Sequence, residues 1–196
     1  MTAVGTSLKA LLAVALTASV GCTSWFVRED KTNYLTPPKR IEALQALADE
    51  AESKTPAERQ AIVTDIALKI RDEDDPLLRE EMLRTLSRYP SPTASAVLRA
   101  GLKDGDPHVR SVAVEAIDAA GGAEAAVLLA ETVRSDTDDD VRLAATKALA
   151  NYNDPQALSA LAAVLDDRNP ALQYRAMDSL RGSTGKDFGN DVVAWR

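Results

Sequence analysis

The chain has 196 residues, of which 45% are apolar, 27% are charged and only 4% are aromatic. This length predicts one domain, or two, with a packed core, and the many Ala and Leu residues favour helices over a β-sandwich. The net charge of −7 disfavours nucleic acid as a partner, and a single Cys and a single His exclude an intrachain disulfide and most metal or acid–base sites built on these residues.

The N-terminal segment has the pattern of an export signal. Residues 10–21 form an uncharged run of about twelve residues, which suits a signal peptide and is short for a membrane span of about 20 residues. The run ends at Gly21 and Cys22, and Cys22 is the only Cys of the chain. This ending resembles the signal of bacterial lipoproteins, with Ser19 where that family has Leu, Val or Ile.

The lipoprotein resemblance implies that residues 1–21 are a signal peptide and that Cys22 is lipidated and becomes the new N-terminus. Thr23 rather than Asp follows the Cys, which implies sorting to the outer membrane with the protein facing the periplasm. Residues 22–36 would then form a tether. Two alternatives remain open: an uncleaved anchor over residues 8–27, and a plain secretory signal.

The rest of the chain repeats itself with a period near 31 residues. Arg79, Arg110, Arg142 and Gln173 occupy equivalent places in four segments, at steps of 31, 32 and 31 residues. An earlier copy begins near residue 38, 39 residues before the second copy. A sustained period of this length is typical of a solenoid, in which each pair of helices buries its apolar side against its neighbours.

Each repeat contains two helical patterns, with apolar residues three and four positions apart. Seven of the nine prolines follow Thr, Asp, Ser or Asn, which is typical of helix starts because the side chain caps a backbone N–H and Pro loses no bond there. Thr55 and Glu58 fit a capping box. No strand is predicted, and the predicted helices are 38–52 with 56–71, 76–87 with 92–102, 107–119 with 123–134, 139–151 with 155–165, and 170–181 without a regular partner.

The repeated unit reads D-P-x-V-R-x-x-A-x-x-A-L before a second helix rich in Ala and Leu, and its best copy begins at Asp106. It resembles the HEAT repeat in its short bacterial form, over residues 37–181. The resemblance implies an all-α fold, a right-handed α-solenoid of about five helical hairpins. It also implies a non-catalytic scaffold that binds other proteins.

Two sets of residues follow from the HEAT resemblance. Arg79, Arg110 and Arg142 are predicted to form a ladder between neighbouring repeats by pairing with acidic residues of the turns. The second helices are expected to line the inner curve, so that their exposed positions are candidate contacts with a protein partner. These positions are Ser95, Arg99, Glu131 and Arg134.

Residues 182–196 form a distinct C-terminal tail. Three Gly within eight residues disfavour a long helix there. The tail is similar to the T-G-x-D-F-G-x-D…W-R ending of some bacterial HEAT-repeat lipoproteins. Phe188 and Trp195 are predicted to fold back and cap the open face of the last repeat, and the alternative is a hook that binds a partner.

The sequence offers little for catalysis. His108 is expected in solvent near a helix start, and the acidic clusters at residues 72–75 and 136–140 are expected to cap helices, because the spacing of an EF-hand is missing. We therefore predict no enzyme activity, cofactor, metal, nucleic acid or small-molecule substrate, and expect a protein partner and a membrane. The alternative is an enzyme or enzyme subunit with HEAT-like repeats, such as a phycobilin lyase. Deoxyhypusine hydroxylase also has HEAT-like repeats, but its iron site needs several His–Glu pairs, which a chain with one His cannot supply.

Overall fold

The computed structural model describes residues 36–122 and 124–196, and the regular structure in these two ranges is helical, without strands. The predicted all-α fold is confirmed. The predicted signal peptide and nearly all of the predicted tether lie outside the described residues. The helices are α1 (Pro37–Asp49), α2 (Pro56–Lys69), α3 (Pro76–Ser87), α4 (Pro92–Gly101), α5 (Pro107–Ala120), α6 (Ala125–Ser135), α7 (Asp139–Ala148), α8 (Pro155–Val164), α9 (Pro170–Thr184) and α10 (Val192–Trp195).

Most of the helices begin at capping side chains that the sequence predicts, whereas α1 and α6 begin without a side-chain cap. Thr55 accepts a hydrogen bond from the backbone N–H of Glu58, and the Glu58 carboxylate accepts one from the N–H of Thr55, which completes the predicted capping box. Each such cap satisfies N–H groups that have no partner inside the helix. Further helices of the repeats start in this manner at Asp75, Ser91, Asp106, Asp138, Asp154 and Asn169.

Most predicted boundaries lie within two residues of the observed ones, and the larger differences occur at helix ends. The helices α1 and α7 give way to short 3₁₀ turns at Ala51–Ser53 and Leu149–Asn151. Conversely, α9 continues to Thr184, three residues past its predicted end. A Cβ on Gly182 would lie 3.5 Å from the Cβ of Ala150, so this last turn of α9 is close to the preceding repeat. The tail therefore begins later than residue 182.

The helices form two layers. The first helices of the repeats, α1, α3, α5, α7 and α9, each pack against the next first helix along the chain. The second helices pack less regularly, because α2 contacts α4 and α6 contacts α8, whereas α4 and α6 hardly meet. Segments one repeat apart in sequence thus lie side by side, as in an α-solenoid, and the stack opens on its second-helix side in the middle.

Three core positions recur in the first helices of four repeats. They are four residues apart, so they share one face of each helix. Burial of each large apolar side chain stabilises the fold by roughly 1.5–3 kcal/mol. The recurring residues, all buried, are Leu78, Met82 and Leu86 in α3, Val109, Ala113 and Ile117 in α5, Val141, Ala145 and Leu149 from α7, and Leu172, Ala176 and Leu180 in α9.

Candidate functional site

The arginines of the repeated motif join neighbouring repeats. Arg79 in α3 donates two hydrogen bonds, from Nε and Nη2, to the carboxylate of Asp104, both at 2.9 Å. Arg110 in α5 makes the same two bonds to Asp136, again at 2.9 Å. Each acid lies in the loop before the next first helix. Each pair therefore connects one repeat to the next through a planar, two-pronged contact that specifies register as well as adding energy.

The third arginine of the motif, Arg142 in α7, reaches the equivalent acid with a different geometry. Its Nη2 group pairs with Asp167, its Nη1 group pairs with Asp139 of its own helix at 3.2 Å, and its Nε group donates to the carbonyl of Val133. All three predicted ladder arginines thus lie beside an acid of the following turn.

The same acids also hold the helix starts. Asp104 accepts from the backbone N–H of Asp106 at 2.9 Å, and Asp106 in turn caps α5. Asp136 accepts from the N–H of Asp138 at 2.9 Å, and Asp138 caps α7. One carboxylate therefore links the arginine of the preceding repeat to the beginning of the first helix that follows it.

The ladder acids have lowered pKa values. Burial opposes the ionisation of Asp104, Asp136 and Asp167, but hydrogen bonds from the arginines and from backbone N–H groups outweigh it and lower the pKa of all three carboxyls. The hydrogen bonds that Arg79 donates to Asp104 likewise raise the pKa of Arg79, against its partial burial. A hydrogen bond to a charged group of this kind stabilises by roughly 1.5–3 kcal/mol.

The ladder extends one step before the residues that sequence reasoning assigned to it. Arg40 in α1 pairs with Glu73, which accepts from the N–H of Asp75 as the later acids do from their own capping residues. At the other end Gln173 donates to the carbonyl of Asp167 at 2.8 Å, as Arg110 does to that of Asp104. The signal that could have found Arg40 is its place four residues after Thr36, the residue before α1.

The opposite ends of the first helices carry a second kind of link. Tyr89, three residues after the core residue Leu86, is buried and donates its hydroxyl to the carbonyl of Leu47 in α1. Tyr152, three residues after Leu149, is half-buried beside Asp118 of α5, and burial and the Asp118 carboxylate together raise the pKa of Tyr152 to about 12. Sequence reasoning missed both tyrosines, although their equal offset from the core residue was a readable signal.

The third repeat has Ala120 at the position of these tyrosines. Here α5 stays helical through Ala120 and ends on Gly121, whose φ of 64° is accessible to Gly at little cost. No tyrosine fills the space between this repeat and the one before it. The result is a cleft of about 170 Å³ between α4 and α6, in which Ala120 itself forms part of the wall.

The cleft contains two of the four predicted partner contacts. Ser95 and Arg99, both exposed on α4, line it, and Arg99 pairs across its mouth with Glu124. Its apolar lining comes from Leu98 and Ile117, which are buried, and from the half-buried Leu128.

The other two predicted contacts lie on α6 but do not line the cleft. Glu131 and Arg134 are exposed, and they follow Val127 at steps of four and three residues, so the three share one helix face. Val127 is a large apolar residue that is 45% exposed. The cleft and this face of α6 are adjacent parts of one surface, which we name the α4–α6 surface and define by Ser95, Arg99, Leu128, Glu131 and Arg134.

The C-terminal tail folds on itself beside α9. Gly185 ends α9 in the left-handed conformation, and Phe188 then meets Trp195 edge to face, with ring centroids 5.0 Å apart. Trp195 donates its indole N–H to the carbonyl of Gly189 at 2.9 Å. Phe188 is 46% exposed, so its ring packs on the tail's own tryptophan and also faces solvent.

The candidates for metal or acid–base chemistry serve helix starts. His108 is exposed, and the acids of residues 72–75 and 136–140 include the caps Asp75 and Asp138 and the ladder residue Asp136. Within residues 36–122 and 124–196, no group of His, Cys, Asp and Glu has the arrangement of a metal site. None of the helices in this part of the chain is long and apolar enough to cross a membrane. Cys22 lies outside the described residues.

Comparison with known proteins identifies the repeat. The family model for HEAT repeats matches residues 63–150 and 131–192. The structure of human deoxyhypusine hydroxylase in complex with glycerol is similar in fold, with a TM-score of 0.56 and 23% identity over 63% of this chain. The match spans 44% of that enzyme's chain, and the likeness concerns the fold alone. A search of curated proteins found no match.

Proposed function

Because the chain belongs to the HEAT-repeat family, we propose that it is a non-catalytic scaffold that binds another protein through its second helices. We also propose that a lipid on Cys22 anchors it to a membrane of the bacterial envelope, on the periplasmic side of the outer membrane. The two parts are independent, because the first rests on the described helices and the second on the N-terminal sequence.

The opening between α4 and α6 is the observation that carries the scaffold proposal. In the motif, the charged groups are engaged inside the array: Arg79 and Arg110 hold the acids of the next repeat, and Asp106 caps a helix. The α4–α6 surface instead combines a concave apolar floor with a polar rim. This is the anatomy of sites that bind other molecules, in which a few polar groups orient what the apolar floor holds.

Site-specific photo-crosslinking tests the scaffold proposal. A benzophenone amino acid replaces Ser95, Arg99, Glu131 or Arg134 one at a time in cells, and each variant is irradiated. Glu115, which is exposed on the first helix α5, is the matched control position. We expect discrete adducts with one protein from the four positions and none from Glu115. Equal adducts from all five positions, or none from any, would contradict the proposal.

Enzyme activity is the alternative, and its products are unknown, so metal content is the practical measurement. We expect purified chain to contain iron and zinc far below one equivalent. A stoichiometric metal that is retained through purification would contradict the scaffold proposal. A salt-dependent shift of DNA mobility in a gel would contradict the expectation that nucleic acid is not a partner.

The anchor proposal rests on the position of Cys22 directly after an uncharged run and Gly21. A thiolate is a good nucleophile towards an alkyl donor, whereas a serine hydroxyl is not. We expect Cys22→Ala to shift the protein from the membrane fraction to the soluble fraction and to abolish incorporation of labelled palmitate. Ser24→Ala, two residues further along the chain, is the matched control and should remain membrane-bound. Retention of unprocessed Cys22→Ala in membranes would favour the uncleaved anchor.

A further inference from the structure

We propose that the cleft between α4 and α6 binds one aromatic side chain, a tyrosine, of the partner protein. This inference rests on the scaffold function proposed above and names what its surface recognises. It follows from a comparison of the repeat junctions within this chain.

The tyrosines at two other junctions show what such a space holds. Tyr89 is buried and donates its hydroxyl to the carbonyl of Leu47 in the preceding repeat. Ala120 stands at the same offset from its core residue, Ile117, as Tyr89 does from Leu86. Ala120 and Ser95 both line the cleft, so the cleft adjoins the position that a tyrosine occupies at the first junction.

The size and lining of the cleft fit a single ring. Its volume is about 170 Å³, and an apolar cavity of about 150 Å³ in another protein is large enough to bind benzene. Leu98 and Ile117, both buried, form an apolar floor, and the half-buried Leu128 adds a further apolar contact. The mouth is polar, since Arg99 and Glu124 pair there with half or more of each side chain exposed, so a phenol hydroxyl can remain hydrogen-bonded.

The polar groups around the cleft are balanced in charge. Arg99 pairs with Glu124, and on α6 Glu131 is accompanied by Arg134. A partner segment without a strong net charge of either sign therefore complements this surface.

Small probes test the cleft without knowledge of the partner. Acetyl-tyrosine amide is titrated into the full chain while the methyl signals of Leu98, Ile117 and Leu128 are followed by NMR, with acetyl-glycine amide as the control ligand. We expect saturable shifts at these methyl groups, with millimolar affinity, for the tyrosine probe alone. Absence of shifts at the three residues, or equal shifts with the glycine probe, would overturn the inference.

A substitution that fills the cleft with a side chain of this protein provides a second test. Ala120→Tyr places a ring where the wall of the cleft now stands, and we expect it to weaken binding of acetyl-tyrosine amide at least tenfold. Ala119→Tyr, on the exposed neighbouring residue, is the control and should bind as the wild type does. If circular dichroism shows that Ala120→Tyr is unfolded, Leu128→Asp replaces it, since Leu128 is only half-buried and a carboxylate there opposes an apolar ring. Unchanged binding in the folded variant would overturn the inference.

Crosslinking in the same variants separates this inference from the scaffold proposal. Adducts from Arg134 that disappear in Ala120→Tyr but persist in Ala119→Tyr support the cleft as the recognition site. Adducts that persist in both variants leave the scaffold function in place and refute the cleft. An adduct that consists of two copies of this chain refutes a separate protein as the occupant.

Discussion

The two ends of the first helices follow different rules along the array. At their N-terminal ends, a basic–acidic pair joins each repeat to the next, from Arg40 with Glu73 onward. At their C-terminal ends, the tyrosine link occurs at the first and third junctions, through Tyr89 and Tyr152, and Ala120 replaces it at the second. The charged pair recurs at all four junctions, whereas the tyrosine is replaced by Ala120 at the second junction and by Ser183 at the fourth, and the second junction is where α4 and α6 separate.

The largest expected effect concerns the charged pairs at the N-terminal ends of the first helices. Asp136→Ala removes the partner of Arg110, a pair whose side chains are 14% and 7% exposed, and also removes the acceptor for the N–H of Asp138. We expect a loss of about 2–4 kcal/mol in the free energy of unfolding, measured by urea denaturation, because a shielded charge loses its partner. Asp140→Ala, on an exposed acid of the same turn, should cost less than about 1 kcal/mol. Similar losses in both variants would mean that the ladder is no stronger than a surface charge.

A smaller effect tests how the second junction holds together without its tyrosine. Gly101 ends α4, and a Cβ there would lie only 3.0 Å from the Cβ of Ala113 in α5 and from a methyl group of Leu83 in α3. Gly101→Ala should therefore destabilise by about 1–3 kcal/mol through overpacking. Gly105→Ala, where a Cβ meets open space, is the control and should leave the thermal midpoint nearly unchanged. A stabilised Gly101→Ala variant would contradict this, because it would show that the packing between α4, α3 and α5 leaves room for an added methyl group.

The tyrosine link itself is expected to contribute less. Tyr152→Phe keeps the ring but removes the hydroxyl, whose pKa the neighbouring Asp118 helps to raise. The expected loss is about 1 kcal/mol, because Asn151 still donates to both carboxylate oxygens of Asp118. Tyr174→Phe, at a residue that is 54% exposed, should be neutral in the same thermal unfolding experiment. If Tyr152→Phe is equally neutral, the ring alone and not the hydroxyl joins the repeats.

The smallest effect per residue concerns pH. The pKa of Asp136 is lower in the folded chain than its ordinary value of 3.8, so its contribution to stability is present above that value and is lost as the pH falls through the folded pKa. Between about pH 5 and pH 2, stability of the wild type should therefore fall with a steeper slope than that of Asp136→Asn, which has no carboxyl to protonate. Parallel slopes would indicate that the ladder pair contributes no pH dependence.

Much of this fold could be predicted from sequence because its signals are local. A capping side chain such as Thr55 acts on N–H groups two or three residues away, so the helix starts were readable directly. The period of the arginines and core residues indicated the stack, and the family match confirms the HEAT repeat. Helix ends were less predictable: Gly182 reads as a helix breaker, yet α9 includes it where it lies close to Ala150 of the preceding repeat.

Only part of the candidate surface could be predicted, because a cleft depends on contacts between helices and not on local sequence. Sequence reasoning placed Ser95, Arg99, Glu131 and Arg134 on exposed helix faces, and the structure shows that all four are exposed. It did not predict that Ser95 and Arg99 line a cleft while the other two stand outside it. Nor did it predict that Phe188 and Trp195 pack on each other in the tail.

The sequence by itself determined the helices, their order and the recurrence of Arg79, Arg110 and Arg142, because these depend on short-range hydrogen bonds and on a period that can be read along the chain. The acid that pairs with each arginine was visible only in the structure. The tertiary structure alone decided where the second helices separate. That separation depends on how side chains from three helices, α4, α5 and α6, fill one shared volume, and Ala120 leaves that volume open where Tyr89 and Tyr152 occupy the equivalent positions.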